Sequence, residues 1–186
     1  MVWSDICLNR FMKRLRILFG LITVLLVFGF QTTPREDTNA RIKSVFIYNF
    51  TRYIEWPADY KSGNFVINMF GSNPSMLTEL NSMAKTKTVG TQTIEIKNTT
   101  TIDGVGKAHI LYVTADALSS LTDILVKLKG KSTLIVTEKP GSAKQGAAIN
   151  FVIVDNRQKF ELNQANAVKY NLKVSSSLVA LAIPVE

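Results

Sequence analysis

The chain has 186 residues, 46% of them hydrophobic, and a formal net charge of +8. Its lysines are scattered without interleaved aromatics, which speaks against a nucleic-acid surface. A single cysteine, Cys7, excludes an intrachain disulfide and leaves no thiolate set for zinc.

The N-terminus carries Arg10, Lys13, Arg14 and Arg16, followed by an uncharged apolar run from Ile17 to Phe30. A membrane-spanning helix needs about 20 apolar residues, so this run is short for one. A basic segment before a short apolar one is the pattern of a secretory signal. Phe28-Gly29-Phe30 is a poor cleavage site, so residues 1–30 read as a signal peptide or a retained N-terminal anchor. Either way the chain is directed out of the cytoplasm, and a cleaved leader takes Cys7 with it. Removing residues 1–30 takes away four basic residues and one acid, leaving a charge of about +5. Residues 31–38, QTTPREDT, read as a polar tether.

Residues 39–186 read as one domain. Thr38 or Asn39 can cap a first helix. Ile42, Val45, Phe46, Asn49, Phe50 and Tyr53 follow at spacings of three and four, which predicts one apolar helix face. Pro57 pushes Trp56 out of the α region and ends that helix. Next come a strand over Phe65–Phe70, a helix over Ser75–Ala84 and an alternating strand over Thr93–Lys97. Gly104-Val105-Gly106 precedes a strand and does not open a helix, so it is a turn and not a dinucleotide loop. His109–Val113 and Ser132–Thr137 are apolar strands of the kind buried in parallel sheets. Between them, Asp116–Lys129 is an amphipathic helix stopped by Gly130. Ala148–Asp155 and Lys159–Leu162 form a hairpin about an Asn156-Arg157 turn. Two short helices follow, over Asn163–Tyr170 and Ser175–Ala182. This order predicts a single compact α/β domain: a mostly parallel sheet, helices on both faces and a C-terminal antiparallel hairpin.

Enzyme motifs are missing: there is no G-x-S-x-G, no H-E-x-x-H and no P-loop. No catalytic residue, cofactor or metal is therefore expected. The lone His109 reads as a hydrogen-bonded core or strand-end imidazole. Trp56 can stack on a ligand or partner, or lock the helix end from the core edge. Asn49, on the expected apolar face, reads as a buried amide pinned by hydrogen bonds. Arg157 and Glu161 are placed to pair across the hairpin, at a small gain of about 0–1 kcal/mol if exposed. Lys139–Gly146 is a glycine-rich loop after a strand, where such sheets bind ligands.

Residues 41–57, R-I-K-S-V-F-I-Y-N-F-T-R-Y-I-E-W-P, resemble the opening motif of the YfiR-like family of periplasmic proteins. Its hallmark falls here on Tyr48, Asn49, Phe50, Tyr53, Trp56 and Pro57. Ile149-Asn150-Phe151-Val152 with Arg157, Phe160, Glu161 and Asn163 resembles the family's second motif. Asn171-Leu172-Lys173-Val174-Ser175-Ser176-Ser177-Leu178 resembles its ending, with Asn171 where the family often has Gly. The resemblance implies a periplasmic, non-catalytic regulator. It would bind the periplasmic sensor region of an inner-membrane diguanylate cyclase of the YfiN type, repress it, and so lower cyclic-di-GMP and biofilm formation. Another membrane receptor such as a histidine kinase, a small ligand and a homodimer stay open as alternatives. The disulfides that tune known members have no counterpart here. Asn49, Tyr53, Trp56, Arg157, Glu161 and Ser176 are the partner- or ligand-binding candidates carried over with the motifs.

Overall fold

The structure, a computed structural model, describes residues 35–186. The expected leader, Cys7 and the first part of the tether lie outside the described residues.

Helix α1 (Arg35–Tyr53) begins before Thr38 and Asn39, so neither residue caps it and the end of the polar stretch is helical. Its inward face differs from the expected one. Ala40, Ser44, Ile47, Phe50 and Thr51 are buried, whereas Ile42 is 38% and Val45 54% exposed. The helix is apolar over more than half its circumference. Packing against the sheet selects the side led by Ile47 and Phe50 and leaves Ile42 and Val45 in solvent.

After α1 the chain turns extended at once. Strand β1 (Ile54–Glu55) pairs antiparallel with β9 (Lys173–Val174), a two-stranded ribbon with no local signal. Strand β2 (Phe65–Phe70) leads to α2 (Pro74–Thr86). Asn73 caps α2 by accepting from the Met76 amide at 2.9 Å. Strands β3 (Thr88–Val89) and β4 (Gln92–Thr99) form a hairpin. Strand β5 (Ile110–Val113) precedes a 3-10 stretch and α3 (Leu121–Lys127), so the expected helix 116–129 is α-helical only in its second half. Strands β6 (Leu134–Thr137), β7 (Ile149–Val154) and β8 (Arg157–Leu162) follow. The hairpin turn is Asp155-Asn156, one residue earlier than expected; both residues are left-handed, at φ 52° and 59°. Such a turn matches the twist of its strands. Helix α4 (Gln164–Lys169), helix α5 (Ser176–Leu181) and strand β10 (Ile183–Pro184) complete the chain. Asn171 sits at φ 55°, so it keeps the left-handed turn for which glycine is the usual residue.

The main sheet has eight strands in the order β10-β8-β7-β6-β5-β2-β4-β3. Strands β4, β2, β5, β6 and β7 are mutually parallel, and β7–β8 is antiparallel. One core lies on the α1 side, where Ile47, Phe50, Met76 and Leu80 cover Ile67, Met69 and Tyr112. A second lies under α3, where Leu121, Ile124 and Leu128 cover Leu111, Val113 and Ile135. Successive residues of one strand thus feed opposite cores, which is why these strands are apolar throughout. Among the described residues no helix is long and apolar enough to cross a membrane.

Candidate interaction surface and strand-end clefts

Sheets of this topology bind ligands at the carboxyl ends of their strands, where the strand order reverses. Here that point lies between β2 and β5, and the protein's own side chains fill it. The Thr114 amide donates to the Phe70 carbonyl at 3.0 Å, and its hydroxyl donates to the Asp116 carboxylate. That carboxylate also accepts from the Ser72 amide at 3.3 Å. Gly71, at φ 110°, leaves no room for a side chain, since a Cβ there would stand 1.8 Å from Thr114 Oγ1. The loop 139–146 is equally occupied. Asn163 and Asn166 donate to the Ala143 carbonyl at 3.2 and 2.8 Å, and Ser142 and Ala143 are buried. It is a fastened loop, not an open cradle.

Beside it, Glu138 closes β6. Its carboxylate accepts from Tyr112 Oη at 2.6 Å and from the Ala115 amide at 2.9 Å, and it pairs with Lys43 of α1. Burial first, then the Glu138 charge, holds the Tyr112 phenol far above its ordinary value, so it stays a donor. Lys43 and Glu138 line a cleft of about 630 Å³ that runs along β7 to Glu161.

At the opposite end of the sheet His109 ties three elements together. The Val66 amide donates to Nδ1 at 2.9 Å. An amide can only donate there, so Nδ1 carries the lone pair and Nε2–H donates to the Tyr60 carbonyl at 2.7 Å. Trp56 Nε1 donates to the His109 carbonyl at 3.1 Å, and the indole meets Phe65 edge-on at 5.1 Å. Both imidazole nitrogens are engaged, so His109 is a structural hub and offers no free base. Trp56 and His109 also line a cleft of about 440 Å³ beside the β3–β4 turn.

Burial lowers the His109 pKa below its ordinary 6.5, with the Lys107 charge adding to it, although the bond to the Tyr60 carbonyl opposes the shift. The unfolded chain therefore binds the proton more readily than the folded one. Stability is full above about pH 6.5 and is lost as pH falls from there toward the lower folded value. Urea midpoints measured from pH 7.5 to 5 are expected to fall through that window. His109→Gln is expected to flatten the slope at some cost in basal stability. An unchanged slope in the variant removes His109 as its source.

The third feature is a surface. Phe46 bridges α1 and the hairpin, its ring 6.0 Å from Phe151 and 5.6 Å from Phe160. Around it lie Ile42, Val45 and, at 62% exposure, Ile153. A depression of about 540 Å³ separates the α1 residues from Ile153 and Arg157. A shallower one of about 240 Å³ continues along α1 to Asn49.

The motif residues do not gather at one place. Asn49 is half-buried on the outward face of α1 and its side chain makes no hydrogen bond among the described residues, so it is not the pinned amide expected. Tyr53 is half-buried at the helix end, where its carbonyl accepts from the Ser175 amide at 2.9 Å. Trp56 is buried in the core. Arg157 opens β8 and is exposed at the edge of the surface. Glu161 lies on the same strand and accepts from Asn150 Nδ2 at 2.8 Å, so the expected pair with Arg157 does not form. Ser176 is exposed on α5, and its neighbour Ser175 is the cap, accepting from the Leu178 amide. Sequence reasoning missed Lys43 and Glu138. Their only local signal is a single charge set against an apolar helix face and at the end of an apolar strand. Ile42 and Val45 were visible but read as core.

Several solved structures share the fold. A conserved domain protein from Vibrio cholerae O1 biovar El Tor str. N16961 aligns at TM-score 0.54 and 8% identity, covering 79% of this chain and 60% of that one. The ABC domain in complex with L-Trp from Streptococcus pneumonia aligns at TM-score 0.53 and 10% identity, with the same coverage. This chain thus spans 60% of the length of each, and the likeness is one of α/β fold alone. No curated protein matches the chain at a significant level. The profile of the YfiR/HmsC-like family matches residues 40–183.

Proposed function

The chain belongs to the YfiR/HmsC-like family, periplasmic regulators of diguanylate cyclases, and from that premise we propose that it binds the periplasmic region of an inner-membrane cyclase and represses it. The observation that supports a binding role is the outward apolar surface of α1 and the hairpin, with Ile42, Val45 and Ile153 in solvent and Asn49 and Arg157 beside them. Isolated exposed apolar residues are ordinary. A contiguous group around a depression marks an interaction site. Repression needs no chemistry from this chain, only tighter binding to the inactive form of the partner.

Deletion of the chain is expected to raise cellular cyclic-di-GMP, and the wild-type chain to restore it. Val45→Glu is expected to leave cyclic-di-GMP near the deletion level. Its effect on stability should stay within about 0.5 kcal/mol, because Val45 is solvent-facing. Full complementation by Val45→Glu removes this surface from the mechanism. Deletion without any change in cyclic-di-GMP removes the cyclase.

The cleft at Trp56 favours a second reading, a small ligand that tunes partner binding. Saturation at about 100 times Kd adds about 2.7 kcal/mol to stability. A thermal-shift series with amino acids, L-Trp included, tests it; no shift with any of them counts against this reading.

A further inference from the structure

We propose that the outward face of α1 is one half of a helix–helix interface. The other half would be a partner helix that seats an apolar side chain between Ile42 and Asn49 and sets acidic residues against Arg41 and Arg52. The partner's identity as a cyclase rests on the reading above; the interface chemistry does not.

Thr38, Ile42, Val45, Asn49 and Arg52 succeed one another at steps of four, three, four and three. That is the spacing of a coiled-coil seam. A seam normally faces a partner, yet here it faces solvent, because Ile47 and Phe50 on the other side already fill the core. Ile42, Val45, Phe46 and Asn49 stand at positions i, i+3, i+4 and i+7. Four residues in that arrangement make the hole that receives a knob from a facing helix. In this structure they line a real depression of about 240 Å³.

The polar groups narrow the occupant. The Asn49 side-chain amide has no hydrogen-bond partner among the described residues, and a lone seam asparagine sets register by meeting a polar residue opposite. Arg41 flanks the seam and Arg52 ends it, both exposed and without an ion pair among the described residues. Acidic residues on the incoming helix complement them. A second copy fits less well. Parallel pairing sets Arg52 on Arg52 across the seam, and antiparallel pairing sets Arg52 on Ile42 when the Asn49 amide meets Val45. A bilayer fits less well still, because Asn49 interrupts the stripe and the opposite face of α1 is packed in the core.

The test places a photo-reactive p-benzoylphenylalanine at 42, 45, 49 or 52 of the full chain in its own cells, with position 126 as an exposed apolar control. Cross-linked sites are mapped by mass spectrometry, and cyclic-di-GMP is measured in the same cells. The four seam positions are expected to label one segment of one membrane protein, at sites advancing by three or four residues. Position 126 should label none of it. Arg41→Glu with Arg52→Glu is expected to cut labelling from position 45 about tenfold, and lysine at both positions to restore most of it. Labelling of a second copy alone, of lipid alone, at every second residue of the target, or of nothing overturns the interface. Deletion that raises cyclic-di-GMP while the seam labels nothing leaves the regulator reading standing and sinks this one. Helical labelling of a membrane protein with cyclic-di-GMP unmoved does the reverse.

Discussion

Trp56→Ala is expected to lower the free energy of unfolding by about 3–5 kcal/mol, the usual cost of emptying a large aromatic site in a core. The indole is only 5% exposed and meets Phe65 edge-on. Its N–H donates to the carbonyl of His109, the residue that also binds Val66 and Tyr60 through its ring. Truncation leaves a void where α1, β2 and β5 meet, and it strips a buried carbonyl of a donor. For a domain of this size the melting temperature should drop by about 10 °C. Trp56→Phe, which fills most of the void but cannot donate, is expected to recover more than half of the loss. Urea unfolding of the three proteins at pH 7.5 measures both. If Trp56→Ala lost partner binding with its melting temperature intact, Trp56 would be a contact residue after all. The expected result makes it a poor probe of the interface, because any loss of binding would follow from unfolding.

Glu138→Leu is expected to cost about 3 kcal/mol, because it leaves the Lys43 ammonium half-sheltered without its counter-charge and the Tyr112 hydroxyl without an acceptor. Breaking such a pair is far more damaging than replacing it whole. Lys43→Met, Tyr112→Phe and Glu138→Leu combined should therefore recover most of the loss, since no buried charge or hydroxyl is left unpaired. The Ala115 amide also loses its acceptor, but it lies near solvent and can turn to water. Chemical denaturation of the single and triple variants decides the matter. A triple variant as unstable as the single one would mean that the network earns its place through net attraction, and not merely by compensating its own burial.

The motif residues carry different messages once their contacts are known. Trp56 holds the chain after α1 against the sheet, and Tyr53, packed against the core, ends the helix with its carbonyl bonded to the Ser175 amide beyond β9. Asn150 and Glu161 join β7 to β8, with the Thr137 hydroxyl donating to Asn150 Oδ1 at 2.9 Å. These contacts lie within the fold. Asn49 and Arg157 have no such duty and border the surface that would meet a partner. The motif thus contains residues bonded within the fold beside residues that face solvent, and only their contacts separate them.

Read alone, the sequence determined the longer helices and strands, the apolar interior of β5 and β6, the hairpin and the family motifs. Each of these depends on residues within a few positions of one another, where periodicity, turn chemistry and capping act. Tertiary structure alone decided which side of α1 enters the core. The helix has two apolar sides, and the choice follows from the rings waiting on the hairpin: Phe50 stands 5.2 Å from Phe160 and 6.0 Å from Phe151. It also decided the Lys43–Glu138 pair, whose members are 95 residues apart. No local pattern encodes the meeting of two charges so distant in the chain. Only the closing of the sheet brings them within reach, and the same closing leaves Ile42, Val45 and Asn49 facing outward.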